Sequence, residues 1–200
     1  MRLETSAGPA EIDLDEPAQP RLLLLLTHGS GGGVEAKDLL VVRDRGLAAG
    51  AVVARVTQPY RVAGRRAPGS APAQDAAWLE IVSALRDRFP GLPLVQGGRS
   101  NGARVACRTA VAAGAAGVLA LSFPLHPPGK PEKTRRDELL SAATKVDVVV
   151  INGERDPFGI PEAADAAEVR IVPGQPHSFR AGFDLIGATV DPWLARWGSR

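Results

Sequence analysis

Leu92-Pro93-Leu94-Val95-Gln96 runs into Gly97-Gly98-Arg99-Ser100-Asn101-Gly102 and then into Ala103-Arg104-Val105-Ala106. An aliphatic run of strand length meets a stretch of helical, small-residue texture with no loop between them. A turn that sharp crowds the positions two before and two after its centre. Both positions are glycine, Gly98 and Gly102, and the centre is Ser100. Such a turn lifts the Ser100 hydroxyl clear of the sheet and points the N–H that follows it into the same space. The helix N-terminus beside it favours negative charge. The pattern alone is weak, because chance supplies roughly 0.1 copies in a chain of this composition. Read alone, Ser100 also serves as a plain N-cap.

Outward from this turn the chain alternates two textures. Short aliphatic runs occur at 22–26, 51–56, 92–96, 117–121, 146–151 and 169–172. Most lack period-2 alternation and are bounded by Gly or Pro, as expected of strands buried on both faces. Helical spacing occupies 35–49, 74–88, 101–114, 131–144, 161–167 and 181–197. Ala77, Trp78, Ile81, Val82 and Leu85 fall on one stripe, which makes Trp78 a core residue. Phe183, Ile186, Val190, Trp193, Leu194 and Trp197 form a second stripe, which Pro192 is expected to kink or interrupt. This alternation predicts an α/β fold with a mostly parallel sheet and helices on both faces. Residues 1–20, acidic and turn-rich, are expected to be an N-terminal arm or edge hairpin. Residues 21–200 form the one domain that the length allows.

Composition excludes several classes of function. Of 200 residues, 44% are hydrophobic, 23% are charged and 4% are aromatic, so the core is aliphatic and the chain globular. Lys and Arg number 24 against 22 acids, with no block of five like charges, so a nucleic-acid footprint is not indicated. Cys107 stands alone, which excludes an intrachain disulfide and a CxxC site. No HExxH or paired metal-ligand spacing occurs, and no cofactor is expected. Met1–Thr5 lacks an apolar signal core, and the uncharged stretch 109–125 is broken by Gly114, Gly117 and Pro124. A soluble cytoplasmic protein without a membrane partner is the expectation.

In an open parallel sheet, ligands sit at the carboxyl ends of the strands. Those rims carry His28-Gly29-Ser30, Pro59-Tyr60-Arg61, Arg99-Ser100-Asn101, Leu125-His126, Glu154-Arg155-Asp156 and His177. A serine nucleophile needs a base, and the base needs an orienting carboxylate. His177 follows the last strand and Asp156 the one before it. The order Ser100, Asp156, His177 is that of α/β-hydrolases. His126 is a second candidate base. Asp147 opens a strand at the wrong end of the sheet, and Asp165 is expected inside a short helix. The loop Gly29-Ser30-Gly31-Gly32-Gly33 suits an oxyanion hole, with the backbone N–H of Ser30 as donor, Gly31 as its rival, and Asn101 N–H as the second donor. It is no phosphate cradle, since no Lys-Ser/Thr follows and a dinucleotide fingerprint would need glycine where Val34 stands. His28 is expected to be structural. His28, Gly31, Tyr60, Arg61, Arg99 and His126 are the expected pocket lining. Arg61, Arg99 and Arg155 are read as solvent-facing ion pairs that could otherwise favour an anionic substrate.

Gly97–Gly102, Pro59-Tyr60-Arg61 with Gly64-Arg65-Arg66, Phe123–Pro128 and Gly153–Gly159 resemble a compact α/β-hydrolase group. That group is typified by a testis-expressed hydrolase-like protein and includes the hydrolase-like domain of a non-specific lethal chromatin complex subunit. The chain is more remotely similar to dienelactone hydrolases, which carry a cysteine nucleophile where Ser100 stands here. The resemblance covers about residues 20–198. It implies the α/β-hydrolase fold and a Ser100–Asp156–His177 triad. No long insertion separates the strands, so no lid domain is expected. The expected activity is hydrolysis of an ester or thioester of a small soluble substrate through an acyl-enzyme on Ser100. Acyl transfer would use the same residues. A non-catalytic interaction module, with a protein partner that the sequence does not itself indicate, is the reading from a different class.

Overall fold

The computed structural model describes residues 1–198. Eight strands form one sheet: β1 (Arg2–Thr5), β2 (Gly8–Asp15), β3 (Leu22–Thr27), β4 (Ala51–Thr57), β5 (Leu94–Arg99), β6 (Gly117–Leu121), β7 (Asp147–Gly153) and β8 (Glu168–Val172). Their order is β1-β2-β4-β3-β5-β6-β7-β8. β1 and β2 pair antiparallel and β2 runs antiparallel to β4, while all other pairs are parallel. The helices are α1 (Lys37–Ala48), α2 (Pro59–Val62), α3 (Ala71–Arg88), α4 (Asn101–Thr109), α5 (Arg136–Ala143) and α6 (Phe183–Gly198).

Side-chain alternation splits each apolar strand between two layers. Leu23 and Leu25 of β3 join one cluster with Trp78, Ile81 and Leu85 of α3, Val105 of α4 and Leu139 of α5. Leu22, Leu24 and Leu26 join the other, with Leu39 and Val42 of α1 and Ile186, Val190 and Trp193 of α6. The unbroken leucine run thus serves both faces of the sheet. Strand order reverses at β3, where β4 pairs on one side and β5 on the other. The carboxyl ends of β3 and β5 bound the crevice at that switch point.

Several boundaries differ from the sequence expectation. β5 extends through Gly97 and Gly98 to Arg99, in parallel register with β3 and β6. The helix expected at 161–167 is a single 3-10 turn, Ala163–Asp165. Its reciprocal Glu162/Asp165 caps satisfy one turn, and so short a segment does not repay helix nucleation. α4 ends at Thr109, short of the glycine at 114. α3 begins earlier than expected, at Ala71, where the Ser70 hydroxyl accepts the Ala73 N–H. α5 begins later, at Arg136, and α2 was not anticipated. α6 runs unbroken through Pro192. The proline costs about 3 kcal/mol. Burial of Ile186, Val190, Trp193 and Leu194 across it offsets that at about 1.5–3 kcal/mol each.

Candidate active site

Ser100 stands between β5 and α4 with φ 53° and ψ −110°, a backbone state rare for a residue with a side chain. Its N–H donates to Leu121 O of β6 at 2.8 Å, which pins the turn to the sheet. A Cβ at residue 98 would lie 2.6 Å from Thr27 O, and one at residue 102 would lie 2.5 Å from it. The two glycines are therefore set by the close approach of β3 as well as by the turn. The Ser100 side chain makes no capping bond to α4. Its Oγ lies 2.8 Å from His177 Nε2 instead.

His177 comes from the loop between β8 and α6. Its Nδ1 lies 2.7 Å from Asp156 Oδ2. With Nδ1–H donating to the carboxylate, Nε2 is left to accept the serine hydroxyl proton. Phe158 meets the imidazole edge-on, with ring centroids 4.5 Å apart. Asp156, in the loop after β7, is buried. Its Oδ1 accepts the Phe158 N–H at 2.9 Å, and Asn152 Nδ2 stands 3.4 Å from its Oδ2. Asn152 is fully buried near the end of β7 and also bonds both backbone polar groups of Phe123. Sequence reading passed over it. Its only signal was one amide after the four aliphatic residues of β7.

The glycine loop after β3 passes against the serine: a Cβ at Gly29 would lie 3.1 Å from Ser100 Cβ. Gly32 N–H donates to Gly29 O, closing a turn in which Gly31 takes a φ of 72°. Ser30, Ser100, Asn101, His126, Phe158 and His177 line a common cleft of about 330 Å³, joined by Arg104 and Arg135. The Asn101 side chain is held by Gln74 Oε1 at 2.7 Å. As the first residue of α4, Asn101 has a backbone N–H with no intrahelical acceptor.

Several residues expected to line the pocket do other work. His28 is fully buried. Its Nε2 accepts the Gln58 N–H at 3.0 Å while Nδ1 faces Gly29 O, so its ring ties the β3 and β4 rims together. Burial holds its pKa below the usual histidine value. Arg61 does not line the cleft; it braces the glycine loop from behind, its Nε donating to Gly32 O at 3.1 Å. Gly31 sits at the exposed tip of that turn, away from the cleft lining. Tyr60 faces a separate pocket of about 230 Å³ with Trp78 and Ile81. Burial pushes its phenol up to about 12. His126 does line the cleft, but its Nδ1 faces Pro127 O and His177 holds both Ser100 and Asp156. Asp147 pairs with Arg196, and Asp165 is engaged by Arg136.

Arg99 is not a solvent-facing pair. Its Nε lies 3.1 Å from the carboxylate of Asp38, which is 3% exposed. Its Nη2 donates to Ser178 Oγ and, at 3.3 Å, to His177 O. Burial raises the Asp38 pKa, against the pull of Arg99. Asp38, in the first turn of α1, thus reaches the histidine loop through one guanidinium. Nothing in the local sequence marked it.

Residues 20–182 match the family described as "Alpha/beta hydrolase domain". The chain belongs to the α/β-hydrolase family. No curated protein matches it. Among solved structures, this α/β-hydrolase superposes on an α/β serine hydrolase without lid from Xanthomonas campestris, with TM-score 0.78 and 17% identity, covering 98% of this chain and 93% of that one. Est1E from Butyrivibrio proteoclasticus, in a structure with ferulic acid bound, matches with TM-score 0.75 and 16% identity over 100% of both chains. Dienelactone hydrolase from Anabaena variabilis matches with TM-score 0.76 and 15% identity, over 98% of this α/β-hydrolase and 96% of that chain. At these identities the likeness is one of fold. Among the described residues, no helix is long and apolar enough to cross a membrane.

Proposed function

We propose that this α/β-hydrolase is a serine hydrolase that cleaves an ester or thioester of a small soluble substrate through an acyl-enzyme on Ser100. What carries the reading is one line of contacts: Ser100 Oγ 2.8 Å from His177 Nε2, and His177 Nδ1 2.7 Å from Asp156 Oδ2. His177 takes the serine proton as Oγ attacks the carbonyl, then gives it to the leaving group. Asp156 holds the ring and stabilises its cation. The backbone N–H groups of Ser30 and Asn101 face the oxyanion. Water, activated by the same imidazole, releases the acyl group. Within the family, we place the chain in the compact lidless group that its motifs at 59–66 and 123–128 resemble.

A fluorophosphonate probe and a panel of 4-nitrophenyl esters and thioesters test the proposal. Wild-type protein labels at Ser100, and Ser100→Ala loses roughly 10³–10⁶-fold in turnover. Retention of most hydrolysis by that variant rejects Ser100 as nucleophile. Product analysis with competing alcohols and amines separates hydrolysis from acyl transfer.

A further inference from the structure

The cleft holds more positive charge than its carboxylates answer. Arg104 spends its fork on Glu138, with Nε and Nη2 at 2.7 and 2.6 Å from the two oxygens. Arg108, behind it, takes both oxygens of Asp75 at 2.8 and 2.7 Å and reaches Glu138 Oε2 at 3.2 Å. Burial works against ionisation of Glu138, yet these two guanidiniums hold its carboxyl below the ordinary range. The third guanidinium, Arg135, lines the same cleft as Ser100 and His177. Among the described residues, no carboxylate lies within ion-pair distance of it. Burial, then repulsion from Arg104, lowers its pKa. Its backbone N–H donates to Leu125 O at 2.7 Å, which anchors it to the segment carrying His126. The backbone that carries this charge is therefore fixed to the cleft wall.

A partly desolvated guanidinium has five donors and no acceptor, and its planar fork matches an oxyanion in two bonds. We infer that Arg135 recognises a carboxylate on the substrate, so that the preferred esters or thioesters carry an anionic group on the acyl or the leaving side. The inference rests on the hydrolase reading for its substrate class. The cleft volume of about 330 Å³ suits a small molecule of this kind.

The test compares anionic and neutral partners on each side of the scissile bond. 4-Nitrophenyl hemisuccinate against 4-nitrophenyl butyrate probes the acyl side. 4-Acetoxybenzoate against its methyl ester probes the leaving side. Wild type prefers the anionic member of one pair by roughly tenfold or more in kcat/KM. Arg135→Gln brings that ratio towards one, Arg135→Lys retains part of it, and Arg43→Gln, at an exposed pair on α1, leaves it unchanged. Because the ratio is internal to each variant, loss of folded protein does not mimic the effect. Calorimetric binding of succinate and 4-hydroxybenzoate to Ser100→Ala, with and without Arg135→Gln, gives a second readout without turnover. Hydrolysis with no anionic preference in either pair, and anion binding indifferent to Arg135, overturns the inference while leaving the hydrolase reading standing. Arg135-dependent anion binding with no hydrolysis of any ester supports the anion site and removes the hydrolase reading.

Discussion

Ser100 occupies a backbone state that costs about 1–3 kcal/mol and persists because its surroundings over-determine it. The bond to Leu121 O and the glycine contacts with β3 supply that constraint. Gly98→Ala or Gly102→Ala would drive a methyl against a backbone carbonyl, which cannot swing aside as a side chain can. Each is expected to destabilise by about 1–3 kcal/mol and to depress turnover, read by urea denaturation and ester hydrolysis. His28 gives a pH prediction. Its folded pKa lies below the unfolded value of about 6.5, so the unfolded state binds the extra proton between the two. The contribution is fully present above about 6.5 and falls as pH drops towards the folded pKa. Denaturation should show a slope below about pH 6.5 and no His28 slope above it, and His28→Gln should flatten the slope, though with lower stability throughout. Cys107 is buried and its thiol is pushed up to about 12, so native protein should resist thiol reagents that modify it once unfolded.

Three loops from different strands deliver the serine, the carboxylate and the imidazole. Their positions in the chain were legible because each follows an aliphatic run and the rim of a parallel sheet is where such loops converge. What clamps the loops was not legible. Arg99 immediately precedes the serine, and its guanidinium holds His177 O and Ser178 while Asp38 of α1 holds the guanidinium. Sequence reading passed over Asp38, because its partner stands 61 residues further along the chain and only packing brings the two together. Arg99→Ala should let the histidine loop drift. A misplacement of about 1 Å at reacting atoms costs roughly 10²-fold, so the loss should fall mainly on kcat, with KM little changed. Arg99→Lys should restore part of it, and equal kcat in Arg99→Ala and wild type would show that the loop holds itself.

At the scale of the whole molecule, the sheet is one continuous barrier between two apolar layers, and β3 lies at its middle. Leu24 is fully buried in the layer shared with α1 and α6, so Leu24→Ala should cost about 2–5 kcal/mol in a cooperative unfolding transition. The amino-acid order by itself pointed to a doubly covered, mostly parallel sheet, because runs of four to six aliphatic residues bounded by Gly and Pro alternate with stretches of helical spacing. It also determined that a glycine-flanked serine would stand at a strand end. It could not decide which strand rims face one another, whether His126 or His177 reaches Ser100, or which arginines keep a partner. Those are matters of distance between residues far apart in the chain, and a hydrogen bond or an ion pair forms only where packing brings two groups within about 3 Å.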